Sequence, residues 1–227
     1  MKIPFSTQSI QAAFFLGNID LSNRLSVASL IQKGLSPKLN GTPTTLPIPD
    51  DAPLEIPRII LISKDKNLTC NIAANRLDLS YKETDEKKPL EKTKEDFFKV
   101  VQRLAKITFT RFSMTSNRLG LVTKYKVSQS INGIELLKKN YLSNPKDAST
   151  ELQIHRLFIE KIGDFKTNNW IRLISKEGNK EKGLFLVISD INTLKTIKYK
   201  IDFPKAMAFF SNAFELSVKS TLASLGL

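Results

Sequence analysis

Two ten-residue stretches lie half a chain apart and nearly coincide. Residues 58–67 read RIILISKDKN and residues 170–179 read WIRLISKEGN. Six positions are identical: Ile59/Ile171, Leu61/Leu173, Ile62/Ile174, Ser63/Ser175, Lys64/Lys176 and Asn67/Asn179. The offset is 112, against a half-length of about 113 in this chain of 227 residues. The same shift lays Phe97-Phe98 on Phe209-Phe210, Leu104 on Leu216, Leu25 on Leu137 and Leu30 on Leu142. Agreement of a strand hairpin and its following helix at one shift predicts duplication. Each half then runs strand, helix, long connection, strand, strand, helix, and two such units bury their sheets under the helices. The expected fold is α+β, with two pseudo-repeats of strand-helix-strand-strand-helix forming largely antiparallel sheet covered by helices. The half-units are 1–112 and 113–227, packed as one globular body.

Local patterning fills in the units. Residues 8–19 read as a strand ending in Gly17-Asn18, and Leu21, Leu25 and Leu30-Ile31 form a helical stripe closed by Gly34. Residues 36–57 hold six of the ten prolines, which lock φ and remove donors, so this stretch is an extended surface loop. Strands follow at 58–64 and 68–81 around the turn Asp65-Lys66-Asn67. Thr93 with Asp96 has capping-box spacing, ahead of the stripe Phe97, Val100, Val101, Leu104 and Ala105. A strand pair is expected at 107–114 and 118–128, the second with Leu119, Leu121, Tyr125 and Val127 inward and Val122, Lys124 and Lys126 outward. Asn132 with Glu135 caps a helix through Tyr141 that Asn144-Pro145 stops. Three or four strands come next, at 152–162, 170–176, 183–190 and 196–203, with turns at Glu177-Gly178-Asn179 and Asn192-Thr193. Pro204 opens a last helix with Met207, Phe210, Phe214, Val218 and Leu222 on one face.

The chain is strongly basic, with 35 Lys and Arg against 22 Asp and Glu for a net charge of +13. That charge rests on 27 lysines and only 8 arginines, whereas bidentate gripping of phosphates and base edges favours arginine. It divides as +5 over residues 1–112 and +8 over 113–227, with acids interspersed and no basic tail. The lysine excess reads first as a solvated surface and second as a nucleic-acid footprint. The candidate basic patch is Lys124, Lys126, Lys138, Lys139, Lys198 and Lys200. In Lys124-Tyr125-Lys126 and Lys198-Tyr199-Lys200, strand alternation turns each tyrosine away from its lysines and toward the core.

Several chemistries lack their residues. One cysteine, Cys70, leaves no disulfide framework and no cysteine-based zinc site, and one histidine, His155, removes most histidine-rich metal sites. Gly178 and Gly183 have the glycine spacing of a phosphate loop, but Leu184-Phe185 stand where Lys-Ser/Thr would be needed. Cys70 reads as a small buried filler, His155 as a surface strand residue, and Asp50-Asp51 as part of a turn among prolines. No catalytic residue, metal ligand or cofactor is expected. No stretch approaches the roughly 18–20 apolar residues of a membrane span.

In order along the chain, Ile59-Ile60-Leu61 leads to Asn71-Ile72-Ala73-Ala74-Asn75-Arg76-Leu77; Arg118-Leu119-Gly120-Leu121 opens a strand that reaches Tyr125; and Leu184-Phe185-Leu186-Val187-Ile188-Ser189-Asp190-Ile191 precedes the terminal helix. These segments resemble a sporadically distributed family of uncharacterised bacterial proteins, over most of the chain. The family carries a tryptophan after the second strand, where this chain has Ser80-Tyr81-Lys82. The resemblance implies an α+β fold of about this size and brings no activity or site residues. The functional expectation is a non-enzymatic cytoplasmic binding protein with a protein partner. Nucleic acid is the alternative and an unrecognised enzyme the third reading.

Overall fold

The computed structural model describes residues 4–49, 51–128, 131–143, 149–177 and 183–227. In chain order the elements are β1 (Phe5–Leu16), α1 (Arg24–Leu35), β2 (Thr44–Thr45), β3 (Ile59–Ile62), β4 (Leu68–Ile72), β5 (Arg76–Lys82) and α2 (Leu90–Lys106). The second half supplies β6 (Ser116–Val127), α3 (Gly133–Tyr141), β7 (Glu151–Ile162), β8 (Phe165–Lys176), β9 (Leu184–Thr193) and α4 (Phe203–Ser224). Among the described residues, nine strands form one sheet in the order β2-β3-β4-β5-β1-β6-β9-β8-β7, and every pairing is antiparallel.

Period-2 alternation gives the sheet one apolar face, and the helices close over it. Ile10, Ala12 and Phe14 of β1 lie beside Leu77 and Leu79 of β5 and Leu119 and Leu121 of β6. Onto them α1 sets Ile31 and Leu35, α2 sets Phe97, Val101 and Leu104, and α4 sets Phe209, Phe210 and Phe214. Phe14 meets Phe109 and Phe210 edge-on at ring distances of 6.2 and 5.1 Å. A second cluster joins Tyr125, Ile171, Leu173 and Val187 to Leu137 of α3. Burying each such side chain contributes about 1.5–3 kcal/mol. Tyr125 is fully enclosed there; burial pushes its hydroxyl up to about 12, and it shares a 2.7 Å hydrogen bond with Ser217 Oγ.

Caps mark three helix starts. Asn23 Oδ1 accepts from the Ser26 amide, Asn132 Oδ1 from Glu135 and Asp202 Oδ1 from Lys205. Gly163, at φ +56°, takes the first place of the two-residue turn between β7 and β8, a position that favours glycine. The described part of the proline-rich stretch contains no helix and one short element, β2, a two-residue edge strand. Prolines keep their carbonyls but offer no N–H, so the loop has surplus acceptors. Two arginines supply the donors: Arg24 bonds the Leu46 and Ile48 carbonyls, and the almost fully buried Arg58 bonds those of Pro49, Ala52 and Ile56.

The two halves are similar units, each a strand, a helix, further strands and a helix, joined where β1 pairs with β6. Three strands rather than two stand between the helices, setting aside β2. Counting outward from the β1–β6 seam, β5 corresponds to β9, β4 to β8 and β3 to β7. The matched decapeptides therefore fall on β3 and β8, one place out of register. The shift of 112 still superposes β1 on β6 and α2 on α4 because lengths compensate. The first half has a long loop and strands β3 and β4 of 4 and 5 residues; the second has a shorter connection and strands β7 and β8 of 12 each.

Four local expectations are corrected. The single strand expected over 68–81 is broken at Ala73-Ala74-Asn75 into β4 and β5, and the carbonyls of Ala74 and Asn75 accept from the Ile19 and Leu16 amides. Helix α2 begins a turn early, with Pro89 at the cap position, and Thr93 lies buried inside it. Residues Ile107–Arg111 are a π-helical turn continuing α2, since Thr108 and Thr110 return their hydroxyls to the Leu104 and Lys106 carbonyls. Residues 196–203 make only an isolated bridge, Ile201 with Ser116, because β9 already has strands on both sides. Asp50, Asn144-Pro145 and the turn residues Gly178 and Asn179 lie outside the described residues.

Candidate nucleic-acid interface

The helices occupy one side of the sheet, and among the described residues no helix packs on the other. Pairing register fixes what that open face presents. Opposed residues of antiparallel strands share a face, so one row runs Lys82, Ser9, Lys124, Ile188, Arg172, His155 across β5, β1, β6, β9, β8 and β7. With strands about 4.8 Å apart, its basic members recur every two strands at about 10 Å. Lys126, Lys176, Lys166, Lys161, Arg76 and Arg118 point to the same side in other rows. Among the described residues, the acids that these strands carry on this face are Asp78, Asp190 and Glu151, and each is spent on a base: Arg76 at 2.8 Å, Arg172 at 3.5 Å and Lys176 at 3.5 Å.

The expected basic patch is divided. Lys124 and Lys126 stand on the open face, with Lys126 held by Glu86 at 2.7 Å. Lys138 and Lys139 belong to α3 on the helical side, where Lys138 is buried and reaches Glu135 at 3.4 Å. Lys198 and Lys200 are exposed in the segment before α4, whose Tyr199 packs on Phe165 at 5.1 Å. Sequence reasoning missed Lys66, Lys82 and Arg172. Alternation gives Lys82 and Arg172 each its side of a strand, but their shared row requires knowing that β5, β1, β6, β9 and β8 are consecutive, and Lys66 sits in the β3–β4 turn, where alternation says nothing.

Aromatic groups accompany the charge. Trp170, 38 % exposed, stands on this face beside Asp190. Phe15 lies between two guanidinium groups, Arg76 and Arg118, each 4.6 Å from the ring centre. Burial, and then the charge of Arg76, hold the Arg118 guanidinium below its usual pKa.

A depression of about 470 Å³ opens on the same face, lined by Lys66, Lys82 and Lys124 together with Gln8, Ser9, Asn67, Thr69, Ser80 and Tyr81. Lys66, in the β3–β4 turn, has φ +58°, where the backbone favours glycine. The three lysines make no ion pair among the described residues.

Two further concavities involve the helices. A groove of about 560 Å³ between α2 and α4 is walled by Phe214, Val218 and Leu222, with Lys94 bridging to Glu215 at 2.9 Å. A smaller cavity of about 180 Å³ is lined by Tyr81, Lys88 and Asp96. Beside it sits a deeply placed carboxylate, Glu83, whose side chain is 5 % exposed. It accepts from Tyr81 Oη (2.9 Å), Thr93 Oγ1 (3.1 Å) and the amides of Thr84 (3.0 Å) and Asp85 (3.1 Å), and pairs with Lys88 at 3.3 Å. Burial pushes the Glu83 carboxyl up, but these donors outweigh it and hold its pKa below the ordinary value. The Thr93 hydroxyl, expected at a helix cap, ties α2 to the end of β5 through this carboxylate.

Cys70 is enclosed on the core face of β4, His155 is exposed on β7, and five strands separate them. Among the described residues no cluster of His, Cys, Asp and Glu has the makings of a metal site. No described helix is long and apolar enough to cross a membrane. Comparison with protein-family models finds no match, and none of the curated proteins matches the chain.

Proposed function

We propose that the protein binds single-stranded nucleic acid on the open face of its sheet and does so as a cytoplasmic binding module. The observation that supports this is the transverse row Lys82, Lys124, Arg172 on a face whose acids are already paired. An open antiparallel face offers a nucleic-acid strand basic groups at regular intervals and an exposed indole, Trp170, for a base to stack on. Stacking on an aromatic needs an unpaired base, which favours a single strand over a duplex.

Trp170 is the chain's one tryptophan, so its fluorescence reports on this face alone. Oligothymidine should quench it. Affinity should fall about 50-fold between 50 and 200 mM salt, the loss for some four neutralised phosphates on a single strand. Absence of quenching at 50 mM salt, or binding indifferent to salt, would sink the reading. A second reading is a protein partner that adds a strand to the free edge of β7, supported by that strand's 12 unbroken residues and by exposed Leu157 and Ile159. It predicts binding that survives high salt and is lost on Leu157→Lys with Ile159→Lys.

A further inference from the structure

We propose that the depression between Lys66, Lys82 and Lys124 is a phosphate-binding subsite. The identification of its ligand as a backbone or terminal phosphate of a nucleic acid rests on the function proposed above, while the anion site itself rests on its own geometry. Three elements converge to build it. Lys82 ends β5, Lys124 faces it across Ser9 of β1, and Lys66 reaches in from the β3–β4 turn.

What distinguishes this place from the rest of the basic face is unused bonding capacity. Lys126, Arg76, Arg172 and Lys176 each hold a carboxylate, whereas Lys66, Lys82 and Lys124 hold none among the described residues. The hydroxyls of Ser9, Thr69 and Ser80 on the same lining have no hydrogen-bond partner among the described residues. Gln8 Oε1 is buried at its margin without a partner. The one acid of the β3–β4 turn, Asp65, lines the neighbouring cavity instead.

These groups suit a phosphate. A tetrahedral anion with several acceptor oxygens can take lysine ammonium groups from three sides and hydroxyls from below. Lysines some 10 Å apart repel one another little at physiological salt, where the screening length is about 8 Å, so an empty pocket is tolerable and a filled one is favoured. Lys66 adds a further sign. Its left-handed backbone is one that the turn alone would give to glycine, and the chain carries a charge there instead.

The experiment uses the whole chain and two probes. Titration with inorganic phosphate, followed by amide resonances, should shift Ser9, Thr69 and Ser80 and leave residues around Lys161 and Lys166 unmoved. Oligothymidine binding is then compared for Lys66→Gly/Lys124→Ala and for a control of equal charge loss on the same face, Lys161→Ala/Lys166→Ala. Glycine accepts the turn's backbone, and matching thermal midpoints confirm that both variants fold. The subsite variant should bind at least tenfold more weakly, with a salt slope smaller by about 1.4 for two lost phosphate contacts; the control should lose less than threefold. Equal losses in the two variants, no shift at the three hydroxyl residues, or equally tight binding of a polyglutamate peptide would each overturn the subsite. If phosphate shifts those residues but oligothymidine binds nowhere, the subsite stands and the nucleic-acid function falls. If oligothymidine binds and the two variants lose equally, the function stands and the subsite falls.

Discussion

Replacing Glu83 with glutamine tests how much of the fold hangs on one carboxylate. The change keeps the shape and removes the charge. One oxygen still accepts from the Thr84 and Asp85 amides, but the other becomes an NH2 group facing Tyr81 Oη, Thr93 Oγ1 and Lys88 Nζ. The two hydroxyls can rotate to accept; the ammonium cannot, and it keeps only Asp96 at 3.1 Å as an anion. Loss of charge assistance in three bonds around a nearly enclosed group costs about 3 kcal/mol, less than the 3–5 for stranding a buried ion outright. In a chain of this length that lowers the thermal midpoint by about 6–12 °C.

The pH dependence carries a second signature. The native carboxyl is held below its ordinary value of 4.5, so its stabilisation is fully present above that value and is lost as pH falls through the native pKa. Urea denaturation of the wild type and Glu83→Gln at neutral pH and at a series of values below 4.5 should show a gap that narrows as acid is added. A gap under about 1 kcal/mol at pH 7, or one of constant size down to pH 3, would refute the reasoning.

Phe14→Ala removes a ring that is 0 % exposed at the centre of the larger cluster and should cost about 3–5 kcal/mol in urea unfolding; a loss below 1 would mean that Phe109 and Phe210 are not packed on it. Burial pushes the Cys70 thiol up to about 12, with the charge of Asp78 adding to it. It should resist an aromatic disulfide reagent at pH 8 in native buffer and react fully in urea, and rapid labelling of the native protein would show that β4 opens readily.

Element types were largely legible in this sequence wherever one period ran uninterrupted. The inward set Leu119, Leu121, Tyr125 and Val127 is buried as alternation demands, and so is the α2 stripe from Phe97 to Ala105. Reading failed where a distant partner overrode the local pattern. Ile107-Thr108-Phe109-Thr110 has the β-branched look of a strand, yet its hydroxyls bond back to α2 and Phe109 is drawn onto Phe14. The break at Ala73-Ala74-Asn75 carries no proline or glycine, and it exists because the end of β1 takes up its carbonyls. The site was legible only in fragments for the same reason. Lys124 could be assigned to an outward face, but its neighbour across the sheet, Lys82, is 42 positions away in sequence and lies just past the strand expected over 68–81. Sheet order is a property of long-range packing, and no local period encodes it.

The unequal edges of the sheet decide how it can grow. One side finishes in the two-residue β2, with prolines on either side and carbonyls just beyond it already claimed by Arg24. The other finishes in β7, twelve residues in continuous register with β8 and with no strand beyond it. Any edge-to-edge joining of two molecules must therefore use β7 on both, and once joined the pair presents only blunt ends. Such a contact is isologous and terminates at two copies, whereas a sheet with two open edges would propagate into a filament. The proline-rich segment leaves the described sheet a single long open edge.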